Sequence, residues 1–166
     1  VKRRLLPPIA LLLAAALFAV WWLLPSNVLK RRTQALLGTA EVPGNMTEIG
    51  RSARGPNVAK FLAPKVRVRP PAAFAEEVPA SLRRDSVSGL YSATARYAVR
   101  IVFEDPDFEE VRVEGDHATV RFRVDAIAEF PNRTPADGIQ VVETTWEKVE
   151  GDWLLTSITW EETGRR

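Results

Sequence analysis

Asp125 is the residue of this chain best suited to acid–base chemistry, sitting in the middle of a predicted strand. A carboxylate does such work when burial or a neighbouring charge moves its pKa toward neutrality. Tyr91 is its natural partner, since a phenol both donates and accepts a hydrogen bond. Tyr91 and Tyr97 fall on one predicted helix, where they can present hydroxyls to a cavity or serve as core residues with a wet tip. A structural expectation competes. Asp125 shares a strand face with Arg121 and Arg123, opposite the apolar face, and pairing with Glu143 or Glu147 makes these an ordinary solvated sheet face.

Other chemistries are poorly supplied. The single histidine, His117, lies in the turn-like Gly115-Asp116-His117-Ala118 and cannot be half of a His-pair metal site. There is no cysteine, hence no disulfide, thiol nucleophile or Cys-ligated zinc. Glu104, Asp105, Asp107, Glu109 and Glu110 crowd around Pro106 but lack the Gly-centred loop and closing Glu of an EF-hand; they read as an exposed acidic bend. No phosphate-cradling Gly loop and no nucleophile elbow is present. No metal and no cofactor is expected.

The elements that position these residues begin with Leu5–Leu24, which contains no charged residue. Twenty residues at about 1.5 Å each span roughly 30 Å, the thickness of a hydrocarbon core. Lys2, Arg3 and Arg4 precede the run; Lys30, Arg31 and Arg32 follow it. Trp21 and Trp22 suit an interfacial belt. A cleaved signal peptide is the rival, but Trp21-Trp22-Leu23-Leu24-Pro25 is a poor cleavage site. The expectation is a transmembrane anchor over residues 1–27 and one domain over 28–166, the domain exported as in a signal-anchored bacterial envelope protein. The lipid bilayer is the first expected partner. Residues 1–70 carry 12 Lys/Arg and two acids, whereas residues 71–166 carry 11 Lys/Arg and 19 acids, so nets of +10 and −8 hide within +2. The basic half lacks aromatic interleaving, so no nucleic acid is expected.

Periodicity predicts a helix near 28–41, capped by Ser26 or Asn27. Asn45 and Glu48 have capping-box spacing for a second helix, interrupted at Gly55-Pro56. Val58, Phe61 and Leu62 read as a further inward-packed turn ended by Pro64, before a short strand Lys65–Arg69. Residues 70–80 form a Pro/Ala-rich connection. A helix runs from Asp85 or Ser86 to about Ala98. Strands follow: Arg100–Phe103 and Glu109–Val113 on either side of the acidic bend, His117–Phe130 with strict alternation, Ile139–Val149, and Trp153–Glu161 after a tight Gly151-Asp152 turn. Helices followed by long antiparallel strands predict an α+β domain with helices on one face of a curved, mostly antiparallel sheet.

Three segments carry a resemblance: Arg84–Tyr91, Val111–Val120 and, best, the closing hairpin Val142–Ile158 with its Lys148-Val149-Glu150-Gly151-Asp152-Trp153 turn. With these the chain resembles the nuclear transport factor 2-like superfamily, including SnoaL-like and ketosteroid isomerase-like domains. The resemblance implies a conical cavity between sheet and helices, with Tyr91, Tyr97, Phe122 and Trp146 as candidate lining. The Gly55-Pro56 break departs from the family's continuous second helix and bears on the cavity mouth. Trp146, Trp153 and Trp160 also suit the core or a dimer interface. Two functions follow. The first is a non-catalytic, membrane-anchored domain that binds an envelope protein, a small apolar ligand or a second copy of itself. The alternative is an isomerase, dehydratase or cyclase using Asp125 with Tyr91.

Overall fold

The computed structural model describes residues 6–71 and 79–164. Lys2–Leu5 and most of the 70–80 connection lie outside them. The order is α1 (Leu6–Leu23), α2 (Pro25–Ala40), α3 (Glu48–Ser52), α4 (Arg54–Ala59), β1 (Leu62–Arg69), β2 (Ser81–Arg83), α5 (Arg84–Tyr97), β3 (Arg100–Glu114), β4 (His117–Glu129), β5 (Ala136–Val149) and β6 (Asp152–Gly164). Helices α2–α5 pack on one side of a curved six-stranded sheet of order β2-β1-β6-β5-β4-β3. All pairings are antiparallel except β1 with β6.

Alternation explains the sheet. On β4, Ala118, Val120, Phe122 and Val124 are buried, while Arg121 and Arg123 between them are exposed. Their β5 partners Trp146, Thr144 and Val142 extend the inner layer. Helix α2 closes it with Leu29, Thr33 and Leu36, one stripe at helical spacing. Trp153 and Leu155 from β6 and Val58 from α4 complete the core.

Several expectations are corrected. β3 is one 15-residue strand, not two; the acidic bend is absorbed as register shifts at Glu104/Asp107 and Phe108/Glu110, with Asp105 at φ 48°. Such bulges bend an edge strand without ending it. The cap of α3 is Thr47, whose Oγ1 accepts from the Gly50 N–H at 3.2 Å, rather than Asn45. The second helix breaks at Ala53, and Gly55-Pro56 falls in the first turn of α4, where the missing proline N–H costs no helical bond. Leu62 opens β1 instead of closing a helical turn.

Gly55 earns its place by closeness. A Cβ there would stand 2.0 Å from the Ser88 carbonyl oxygen and 2.2 Å from Ser92 Oγ. Helices α4 and α5 therefore cross almost backbone to backbone, and Ser92 Oγ donates to the Ser52 carbonyl at 3.1 Å. Arg51 fastens the far end of α5. Its guanidinium donates to the carbonyls of Ala95 and Val99, each at 3.2 Å, and of Ala98, placing a cation on the negative end of the helix.

Among the described residues, no helix is long and apolar enough to cross a membrane. Helix α1 has 18 residues and no acidic or basic residue in its terminal turns. Where its side chains are described they are open: Leu13, Leu17, Phe18, Val20 and Leu23 are 59–71% exposed.

Candidate functional site

The space that a ligand would need, between sheet and helices, is occupied by side chains. Trp146 and Phe122 are the two largest residues with under 2% exposure. Phe122 packs against Phe108 at 5.6 Å between ring centroids. The Trp146 indole N–H donates to Thr144 Oγ1 at 2.9 Å, and that hydroxyl donates to the Val120 carbonyl at 3.2 Å. Both candidates thus lie in the core, their polar atoms satisfied by protein. Thr33 faces the same interior from α2 with a buried hydroxyl that has no hydrogen-bond partner among the described residues.

Tyr91 and Tyr97 part company. Tyr97 is exposed at the end of α5 and stacks on Phe130 at 5.9 Å. Tyr91 packs against the core, and its hydroxyl donates to the Ala40 carbonyl at the end of α2. Burial pushes its pKa up to about 12; Arg54 pulls the other way and Glu41 adds to the rise. Arg54 donates to the Thr39 carbonyl at 2.9 Å, and Glu41 Oε1 accepts from the Phe103 N–H at 3.4 Å. Tyr91, Arg54 and Glu41 therefore form a polar cluster around the carbonyl end of α2. Sequence reasoning missed Glu41 and Arg54. Tyr91 is 51 residues from its acceptor, and only the folded chain brings these segments together.

Asp125 is not brought to Tyr91. It is 8% exposed on β4, in register with Glu104 and Ile139. Alternation with Val124 turns it to the outer face, away from the helices. Its neighbours Arg121 and Arg123 both reach Glu109 on β3, at 3.0 and 2.5 Å. The expected pairing with Glu143 or Glu147 is replaced, because the bulge after Phe108 swings Glu109 onto this face. Two open depressions also lie there. One of about 220 Å³ is lined by Arg121, Val141, Glu143, Thr159, Trp160 and Glu161. One of about 160 Å³ lies beside Arg112, Glu114 and His117. Among the described residues, no group of three or more His, Cys, Asp or Glu could hold a metal ion.

A fourth place is the corner between α1 and α2. Pro25 opens α2, and Leu24 leaves helical geometry at ψ 130°. Arg31 lies 3.9 Å over the Trp22 ring and donates to the Trp22 carbonyl at 2.6 Å. Asn27 Nδ2 donates to the Trp21 carbonyl at 2.7 Å. Carbonyls orphaned at the end of α1 are thereby satisfied. Arg32 joins the same helix to the domain, donating to the Trp153 carbonyl at 2.7 Å with its guanidinium 5.1 Å from the Phe61 ring.

No protein-family model and no curated protein sequence matches this chain. Solved structures do. An NTF2-like protein from Cytophaga hutchinsonii aligns over 84% of this chain and 98% of its own at 13% identity and TM-score 0.59. A protein of Novosphingobium aromaticivorans, described as a proposed aromatic ring hydroxylase, aligns over 82% and 87% at 9% identity and TM-score 0.64. A proposed dehydratase of the NTF2-like family from Streptomyces avermitilis aligns over 82% and 94% at 15% identity and TM-score 0.57. The fold is thus the NTF2-like fold. Identities this low leave chemistry to be argued from the site.

Proposed function

We propose that this chain is a membrane-tethered NTF2-like domain that binds a partner and does not turn over substrate. Residues 1–27 form the tether, and residues 28–166 form a domain carried on the exported side of a bacterial envelope. The observation that supports this most is α1, whose Leu13, Leu17, Phe18, Val20 and Leu23 stand open to solvent. An apolar helix this bare needs an apolar cover. The helix among the described residues falls short of a span; this reading assigns to lipid the full uncharged run Leu5–Leu24 of the sequence. Trp21, Trp22 and the stacked Arg31 suit the headgroup boundary. The filled interior supports binding over turnover.

Flotation of the full chain with phosphatidylcholine vesicles tests the tether. The protein is expected to float and to resist extraction at alkaline pH, and Leu13→Arg with Leu17→Arg is expected to abolish both. Full-length protein left in the aqueous fraction overturns the tether. Protease accessibility of residues 28–166 in intact cells tests the orientation.

A second reading, an isomerase, dehydratase or cyclase, is favoured by one feature: the Tyr91 hydroxyl stands in a polar cluster with Glu41 and Arg54 at the end of α2. In this reading Tyr91 donates to a developing oxyanion, and Glu41 moves the proton. Incubation with a β,γ-unsaturated cyclic ketone, followed by the absorbance of the conjugated product, tests it. Turnover lost in Tyr91→Phe or Glu41→Gln, with stability retained, supports catalysis; absence of turnover above the rate in buffer counts against it.

A further inference from the structure

We propose that the β1–β2 margin of the sheet binds an extended acidic segment of a partner protein. This names the chemistry of the partner in the binding reading above and rests on that reading.

Alternation builds this margin. Lys65, Arg67 and Arg69 are exposed, while Val66 and Val68 between them pack on the core. Cations at every second residue of a strand stand about 6.7 Å apart on one face. Strand β2 adds Arg83, exposed and in register with Lys65. Among the described residues, no ion pair engages any of the four, although arginines elsewhere on the sheet are paired with Glu109, Glu110 or Glu129. Hydroxyls stand beside them: Ser81 and Ser157 are in register with Arg67, and Thr159 with Arg69. Ser81 Oγ is shielded from water and has no hydrogen-bond partner among the described residues. Like charges gathered on one strand pair repel, and an anionic ligand relieves that repulsion.

Position in the fold narrows the choice of anion. Helix α2 runs from the Trp153 end of the sheet, where Arg32 is bonded, toward the Ile101 end, where Val42 bridges. The root of α1 is therefore at the Trp153 end. Strand β1 starts at that end, with Leu62 level with Leu155, and climbs away from it to Arg69, level with Thr159. Arg69 stands roughly 23 Å along the strand from Leu62. With α1 in lipid, a bilayer faces the start of this ladder and leaves its far end behind. Nucleic acid fits no better. Single strands are held by aromatic rings as well as by cations, and β1 and β2 carry no aromatic residue.

An acidic polypeptide matches what remains. Carboxylates at alternate positions of an extended chain repeat at the same spacing of about 6.7 Å as the cations of β1. The edge itself is open: β2 is the end strand of the sheet, and among the described residues no strand lies on its other side. An end strand keeps unpaired backbone N–H and C=O groups to which an extended segment can add. A segment laid along β2 brings its carboxylates beside Arg83 and within reach of the long side chains of Lys65, Arg67 and Arg69. Backbone pairing supplies affinity there, and the cations select for acid at every second residue.

The test is the fluorescence anisotropy of a labelled peptide of alternating Glu and Thr, titrated with the full chain in an uncharged detergent. Saturable binding that weakens as salt rises is expected. Arg67→Glu with Arg83→Glu is expected to weaken it by roughly ten-fold or more. Arg133→Glu, an equal change of charge at an exposed position between β4 and β5, is expected to weaken it by less than about two-fold. Arg67→Gln, expected to cost roughly three-fold, replaces the double variant if denaturant unfolding shows that the reversal does not fold. Absence of binding, equal binding of a Gln and Thr peptide, or an equal loss in Arg133→Glu overturns the proposal. So does tighter binding of a single-stranded oligothymidylate of the same length, or displacement of the peptide by phosphatidylglycerol doped into the micelles. Failure of the tether is read by flotation and failure of the non-catalytic reading by turnover, so neither is confused with failure here.

Discussion

The two faces of the sheet are built by the same strands and answer to different physics. On β4, Val120, Phe122 and Val124 are sealed under the helices, while Arg121 and Arg123 between them stay in water and share Glu109. The inner face is filled to the point that the two polar groups of Thr144 and Trp146 satisfy each other in series. The outer face keeps most of its charges in water, with Arg112, Arg121 and Arg123 set among the acids of β3. The difference teaches that stability is concentrated on one face: apolar burial is large, and exposed charge is small in energy.

Truncating the inner face is the harshest way to test that division. Trp146→Ala removes the largest sealed side chain and strands Thr144 Oγ1 without its donor. A loss of about 3–5 kcal/mol is expected in denaturant unfolding. A loss below about 1 kcal/mol would show that the interior adapts and is less filled than it stands. Next comes Gly55→Ala. Its Cβ would collide with the backbone carbonyl of Ser88, which cannot step aside without moving α5. A cost of roughly 2 kcal/mol, read from the same curves, is expected. Near-neutrality would mean that α4 slides freely over α5.

Much of this was legible in the sequence because it is periodic. Alternation in His117–Phe130 located the buried face, and the turn at Gly151-Asp152 located the last hairpin, now seen as β5 turning into β6 with Gly151 at φ 94°. What could not be read is what depends on contacts far apart in the chain. Glu109 looked like one more acid in an exposed bend; the bulge after Phe108 makes it the partner of two arginines on β4. Gly55-Pro56 looked like a helix breaker; it is a close crossing whose partners, Ser88 and Ser92, come thirty-odd residues later. Tyr91 reads from the sequence as a hydroxyl for a cavity, and its acceptor is the last carbonyl of α2. Alternation puts Asp125 on the charged face, but its burial beside the β3 bulge has no local signature.

Tyr91 ties the inner face to the end of α2, and its proton is read as the difference between the wild type and Tyr91→Phe. Removing the hydroxyl in Tyr91→Phe is expected to cost about 1 kcal/mol near neutral pH, since one hydrogen bond to a carbonyl is lost. The pH dependence is more telling. Its folded-state pKa, near 12, lies above the unfolded value of 10.0, so the native state holds this proton more tightly. Its contribution is complete below pH 10 and disappears as pH rises through about 12. Across that window the wild type is expected to lose roughly 2–3 kcal/mol more than Tyr91→Phe. Parallel curves for the two proteins would show that the phenol is not held in a desolvated setting.

The smallest effect belongs to the outer face and tests the other half of the comparison. Arg123 and Arg121 compete for Glu109, and the arginine side chains are 61% and 46% exposed. At such exposure water and salt screen the attraction, and two side chains can replace one another at the same carboxylate. Arg123→Ala is therefore expected to cost no more than about 0.5 kcal/mol, because Arg121 retains Glu109. Glu109→Ala is expected to cost slightly more, since it releases both arginines into mutual repulsion across β4. A double-mutant cycle on Arg123 and Glu109, repeated at high salt, separates the two terms. A coupling that shrinks with salt marks a screened surface pair and keeps the faces distinct. A coupling above about 1.5 kcal/mol that salt leaves unchanged would mean that the outer face holds the bulge of β3 in place, and that stability is not confined to the apolar side.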